Sequence, residues 1–302
     1  MKKIFIKSGS AKNSAKVVAE LPVANIMGIL LTLEGTTDAG QTLTKDDICT
    51  MQLLRNGRTL QDEDFSLYFD YTDLKNGFNL ATLPTAGASE ISAVIPMALP
   101  SFPNVLQVKD INEAVLRLNF KAILDTRFGA NAANYRLDAL VADDVYESYE
   151  LNVLSQDFQF AGAGTLSNPL AFRNVHSLFI KDGDDILDEL TYDVDGETVE
   201  QNAPIIVLSA ITNLINQIES TGLDYYEIRV AESGIVESMF NTTNKLQIKA
   251  TGNGVVDVIG FSADFSNSNW RANAQAVEAR MNAKRNKLQQ NPNSQLPKVA
   301  SR

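Results

Sequence analysis

The chain has one cysteine and one histidine among its 302 residues. A lone Cys49 excludes an internal disulfide, and one Cys with one His cannot assemble a tetrahedral zinc site. Any Ser-His or Cys-His catalytic pair would have to use His176, yet it stands in the strand-like run "NVHSLFI", and G-x-S-x-G occurs nowhere. Cys49, in "ICTMQLL", reads as a small buried hydrophobe. The phosphate-cradling loop G-x-x-x-x-G-K-[ST] is also missing. "TGNGVVDVIG" has its third glycine displaced from the dinucleotide fingerprint and β-formers where a helix should follow, so it reads as a turn between strands. Long apolar runs are lacking too. The start "MKKIFIKSGSAKNSAK" is basic but holds only "IFI", too short for a signal peptide, and no run has the length of a membrane-spanning helix. These shortages lead to the expectation of a soluble chain made in a reducing cytoplasm, while carboxylate pairs suited to glycoside hydrolysis stay open among its 37 acids.

Hydrophobic residues make up 44% of the sequence, enough to build real cores, and the length suits two domains. The net charge of −11 is divided unevenly. Residues 1–19 hold Lys2, Lys3, Lys7, Lys12 and Lys16 and no acid, a sum of +5. Residues 271–302 hold seven Lys or Arg against Glu278, a sum of +6, which leaves −22 for residues 20–270. Such a body repels nucleic acid and anionic lipid, whereas either end attracts them.

"LLRNGRTLQDE" (53–63) sets Asn56-Gly57 between partly alternating arms, the signature of a type I′ hairpin. At an offset of 126 residues stands "FIKDGDDILDE" (179–189), where Asp182-Gly183 faces Asn56-Gly57. Strand-like segments surround both copies in loosely matching order: "IMGILLTLEGT" and "DFQFAGAGT" before them, "ISAVIP" and "YYEIRVAES" after. "VLRLNFKAIL" and "KLQIKAT" follow, then "YRLDALVADD" and "VVDVIGFSADF". The spacing predicts a duplicated all-β unit of about 120 residues, with the varied strand intervals of a jelly roll. Arg58 is replaced by Asp184 in the second copy, so the turn and not its charge is what repeats.

Helical pattern is sparse. "PIIVLSAITNLINQIES" (204–220) has Pro near its start and Gly222 just beyond its end, which predicts a helix in the second half. "DINEAVLRL" predicts one helical turn before a strand. The tail "NWRANAQAVEARMNAKRNKLQQ" predicts a basic amphipathic helix, with Arg280, Lys284 and Lys287 on one face, Arg271 and Arg285 nearby, and Trp270 as an interfacial anchor. A solvated helix or an unstructured tail carries equal weight there.

The acidic runs "KDGDDILDE" and "YDVDGETVE" invite a Ca²⁺ at an interface loop, although the second fails the EF-hand pattern at Thr191 and Asn202. A solvated acidic surface is the stronger reading. In "FSLYFDY" (65–71), strand alternation would send Phe65, Leu67 and Phe69 one way and Tyr68 and Tyr71 roughly the other, either as core or as a sugar-binding platform.

Two tandem units with the matching turns "LLRNGRTLQDE" and "FIKDGDDILDE", and a helix in the second, resemble the double jelly-roll major capsid proteins of tailless icosahedral viruses with an internal membrane. "LPVANIMGILLTLEGTTDAGQTLTKDDICTMQLLRNGRTL" is similar to the start of the first barrel in members from lipid-containing bacteriophages, a flavobacterial one among them. The resemblance covers residues 21–269. It implies an arm over 1–20, jelly-roll barrels over 21–148 and 149–269, and a basic tail over 270–302. It further implies homotrimers with a pseudo-hexagonal footprint, contacts with neighbouring capsomers and with vertex or minor capsid proteins, and inward basic termini over membrane lipid. It implies a non-enzymatic chain with no catalytic residues, no cofactor and no specific nucleic acid recognition. The chain would belong to the virion, assembled in the host cytoplasm. The rival expectation is a two-module β-sandwich protein that binds or cleaves carbohydrate.

Overall fold

The computed structural model describes residues 2–76, 87–99, 104–143, 149–171, 174–194, 196–216, 225–229 and 244–264. Alternation sets the strands. β8 (Ala114–Phe120) buries Ala114, Leu116, Leu118 and Phe120 and exposes Arg117 and Asn119. Likewise β16 (Asn244–Ala250) buries Leu246, Ile248 and Ala250 and exposes the lysines and glutamine between them. A period of two places one side of each strand in a core and the other in solvent.

The first half also contains β1 (Lys2–Ser10), β2 (Lys16–Glu20), β3 (Asn25–Thr37), β4 (Cys49–Arg55), β5 (Arg58–Asp64), α1 (Phe65–Asn76), β6 (Gly87–Pro96), β7 (Leu106–Gln107), α2 (Ile123–Phe128) and β9 (Ala133–Val141). The second contains β10 (Glu150–Ala161), β11 (Gly164–Pro169), β12 (Val175–Lys181), β13 (Leu187–Val194), β14 (Glu197–Pro204), α3 (Ile205–Asn216), β15 (Tyr225–Arg229) and β17 (Asn253–Asp264). In the first half, β1-β9-β3-β6, with β7 on the end of β3, opposes β2-β8-β4-β5; in the second, β10-β17-β12-β15 opposes β11-β16-β13-β14. Once β7 and α2 are set aside, the two halves match strand for strand in chain order. Both have the strand order of a jelly roll.

Each half has its own core. Ile29, Leu31 and Leu137 of one sheet meet Met51, Leu53 and Leu116 of the other in the first. Phe158, Leu178 and Val258 meet Leu190, Tyr192 and Ile248 in the second. β5 runs parallel to β10 at Gln61 and Val153, which fuses one sheet of each half into a single eight-stranded sheet.

Several expectations need correction. Residues 2–20 are not an arm before the barrel: β1 pairs with β9 and β2 with β8, so both belong to the first unit. "FSLYFDY" is helical, the start of α1. The helix buries Phe65 and Tyr68 in the first core and Leu67 and Tyr71 against the second half. Burial on two sides removes the single polar face by which a helix is recognised. The expected sugar platform is therefore enclosed, with Phe65 and Tyr68 fully buried. "DINEA" is a turn closed by Glu113 N–H donating to the Asp110 carbonyl, and the end of "VLRLNFKAIL" enters α2. The predicted helix after Pro204 is α3, which starts at Ile205; the first half has its counterpart, α1, where none was expected.

Candidate assembly surfaces

The Asn56-Gly57 turn joins β4 to β5, with Arg55 opposite Arg58. Asn56 and Gly57 have φ of 49° and 80°, as a type I′ turn requires. The matching claim for Asp182-Gly183 fails. That segment links β12 to β13, which lie in different sheets, and its left-handed residue is Asp185, with φ of 54°. Asp182 shapes the loop instead, its carboxylate accepting from Ile186 N–H at 3.0 Å and Leu187 N–H at 2.8 Å. The true counterpart of Gly57 is Gly196, with φ of 85°, between the paired residues Val194 and Glu197. The duplication exists, but its offset is near 140, not 126.

A better signal for that offset lies in the two helices. "FSLYFDYTDLKN" and "IIVLSAITNLIN" share Thr, Leu and Asn at matching places. The threonines do the same work. Thr72 Oγ1 donates to the Tyr68 carbonyl at 2.6 Å and accepts from Val94 N–H of β6 at 3.1 Å. Thr212 Oγ1 donates to the Leu208 carbonyl at 2.8 Å and accepts from Glu227 N–H of β15 at 2.8 Å. Each helix is thereby pinned to the next strand of its own unit.

The surroundings of the helices differ. Leu67 and Tyr71 of α1 pack on the outer face of β10-β17-β12-β15, against Val153, Phe179, Ile259 and Phe261. Tyr71 stacks on Phe261 with ring centroids 4.8 Å apart. At the matching place on α3, Val207 is 41% exposed, and its neighbour Ile206 is 75% exposed. On the first unit's equivalent outer sheet face, Phe5 is 56% and Met27 42% exposed.

Charge reinforces the seam between the halves. Arg55 donates to Glu113 at 2.8 Å and to Glu150 at 3.3 Å, and Arg58 contacts Glu150 and Asp264. Burial pushes the Glu113 carboxyl up, but the Lys109 and Asp110 amides and Arg55 outweigh it, and its pKa is lowered. Arg55 and Arg58 thus hold the second unit to the first.

Among the N-terminal lysines, Lys2, Lys3, Lys7 and Lys16 are exposed and Lys12 is half-buried. Lys7 Nζ donates to the Val18 carbonyl at 2.9 Å, and Lys12 Nζ to the carbonyls of Gly129 and Asn131. Trp270, Arg271, Arg280, Lys284, Arg285 and Lys287 lie outside the described residues. The acidic loops are internally engaged: Asp184 accepts from Val255 N–H, and Asp188 and Glu189 pair with Lys249. Among the described residues, no three His, Cys, Asp or Glu side chains converge as a metal site would require. His176 is buried beside Ser177, and burial followed by the Asp64 charge pushes the Cys49 thiol far above its ordinary range. No helix among the described residues is long and apolar enough to cross a membrane.

No family model matches the chain, and no curated protein does. Solved structures do. A chain from the atomic structure of Sulfolobus turreted icosahedral virus superposes with a TM-score of 0.68 at 11% identity, covering 95% of this chain and 98% of that one. The major capsid protein of bacteriophage PM2 gives 0.59 at 12% identity, covering 88% and 99%. The PBCV-1 VP54 crystal structure, fitted into a reconstruction of the virophage Sputnik, gives 0.62 at 8%, covering 87% and 92%. In strand order and over nearly its whole length, the chain has the double jelly-roll fold of these viral proteins.

Proposed function

We propose that the chain is a major capsid protein that assembles into the icosahedral shell of a virion. The observation that carries this reading is the match of the whole chain, both barrels together, to whole viral capsid chains. A fold by itself hosts many functions, but this one leaves apolar side chains on two of its outer faces, Phe5 and Met27 on one and Ile206 and Val207 on the other, which suits a protein whose work is to bind copies of itself. Three chains supply six barrels, so a trimer presents a pseudo-hexagonal outline and can tile a facet while obeying three-fold symmetry. The other contacts in this reading are neighbouring capsomers, vertex or minor capsid proteins, and the lipid of an internal membrane beneath basic termini. Assembly takes place in the host cytoplasm.

Electron microscopy of the purified full chain tests the reading. Closed shells, or flat arrays with hexagonal spacing, are the expected result. Dispersed monomers under all assembly conditions, particularly ones that bind glycans, would overturn it.

A further inference from the structure

The seam between the halves is held differently at its two ends. Where β5 and β10 begin, Arg55 and Arg58 clamp Glu113, Glu150 and Asp264. Toward the other end, carboxyls gather on both sides. Glu63 lies near the end of β5, about 17 Å beyond Arg58 at the rise of a strand. In the second unit, the strand pairings set Asp157 of β10 opposite Asp257 of β17, Asp257 opposite Lys181 of β12, and Lys181 opposite Tyr225 of β15. These residues are in phase with Val153, Ile259 and Phe179, so they share the face that α1 covers. The first unit adds Asp70 of α1 and the single turn Lys45–Asp47. Lys45 pairs with Asp70, Lys181 stands 3.9 Å from Asp46, and both ammonium groups lie over the Tyr225 ring. Asp62 and Asp64 flank Glu63, with Asp64 paired to Lys121, and the Asp184 charge acts on Asp257.

Two contacts at this end require protons. Asp257 and Asp157 are hydrogen-bonded to each other, and ionised carboxylates can only accept, so one of the two carries a proton. Glu63 bonds Ser155, its neighbour in the parallel register that sets Gln61 beside Val153, but its Oε1 is buried with no hydrogen-bond partner. Charge on an oxygen so placed is costly, and protonation removes most of that cost. Burial raises the Glu63, Asp257 and Asp70 carboxyls alike, Asp70 against the pull of Lys45.

We propose that Glu63 and the Asp157–Asp257 pair form a proton-operated latch between the two barrels, which holds the seam shut while protonated and loosens it when the protons leave. The arginine clamp keeps its charge throughout and serves as the hinge. The latch lies within one chain and goes beyond the shell-forming reading, so either can fail without the other. Glu63 sets the direction. Its carboxyl keeps a proton up to about 8 in the closed seam, against an ordinary 4.5 once released. Opening is therefore rarest below pH 4.5, grows by up to about tenfold per pH unit above it, and levels off past about 8.

Thiol trapping in the full chain tests the latch. Val153→Cys in a Cys49→Ala background places the only thiol in the seam, and Leu67→Cys in the same background reads it from α1. Wild-type Cys49, fully buried in the first core, reports opening of the barrel itself. Rates are divided by those of the unfolded chain at the same pH, which cancels the thiolate fraction. The seam thiols should react at least about tenfold faster than Cys49 at about pH 9, and roughly fiftyfold faster there than at about pH 6. Adding Glu63→Gln and Asp257→Asn, which mimic the protonated carboxyls, should hold the seam rate within about threefold across that range. Seam thiols that react no faster than Cys49, or whose pH profile persists in the Glu63→Gln, Asp257→Asn chain, would overturn the latch.

Discussion

A glycine can be required for its backbone or merely tolerated, and the two turns first matched in the sequence separate these cases. Gly57 has φ of 80° and nothing within 4 Å of where a Cβ would stand. Gly57→Val therefore meets no clash, and its whole cost is the left-handed backbone, about 1–3 kcal/mol. Gly183 is equally open but is not left-handed. Gly183→Val should change stability by less than about 0.5 kcal/mol. Urea midpoints of the two variants make the comparison, and equal losses would mean that the turns are alike after all. The sequence showed a favoured dipeptide at both places. It could not show that the second lies between strands of different sheets, since pairing is set by distant residues.

At the scale of elements, strands were legible because alternation is written locally, as in "LRLNF" and "LQIKA". α1 was not, because a helix wedged between two cores has apolar residues on both sides, and its polar ones, Ser66, Asp70 and Thr72 among them, do not gather on a single face. The seam around it invites two predictions. Arg55 is nearly buried, with its side chain 10% exposed, and it faces Glu113 and Glu150 at 11% and 8%. Arg55→Leu strands two carboxylates without their shared cation and should cost about 3–5 kcal/mol. Arg58 is 47% exposed and shares Glu150 with Arg55, so Arg58→Ala should cost under about 1 kcal/mol. Chemical denaturation ranks them, and a reversed order would refute the buried clamp. Glu63 supplies the pH dependence. Burial lifts its carboxyl from an ordinary 4.5 to about 8; a Ser155 hydrogen bond opposes the rise, and Asp62, Asp257 and Asp64 add to it. The folded chain thus keeps a proton that the unfolded chain releases, so stability falls as pH rises from 4.5 through about 8. Glu63→Gln should match wild type at about pH 4 and exceed it at about pH 9 in denaturant midpoint. Asp257, also raised by burial and then by Asp157, leaves a smaller slope in the variant. Parallel pH profiles for wild type and variant would remove Glu63 from the account.

Across the whole molecule, the division of charge decides which end an anionic membrane would attract. A body of −22 is repelled by anionic lipid, so any attraction must come from an end that stands clear of it. Residues 2–20 do not stand clear, being paired into the first barrel, and Lys7 and Lys12 are held by carbonyls there. That leaves residues 271–302, with seven cations and one acid, as the stronger contact. Each basic residue near an anionic surface contributes about 1 kcal/mol, and the attraction decays within a Debye length of about 10 Å in 0.1 M salt. Deleting 271–302 should leave the barrels folded, since all the strands described end by Asp264, and should abolish sedimentation with phosphatidylglycerol vesicles. The deletion retains Trp270, so a loss would be due to charge rather than to insertion of the indole. Full-length binding should also weaken steeply from about 0.1 to 1 M salt. Binding that survives the deletion would assign the contact to the lysines of β1 and β2 instead. Binding lost on deletion but indifferent to salt would mean that the tail works through its apolar face.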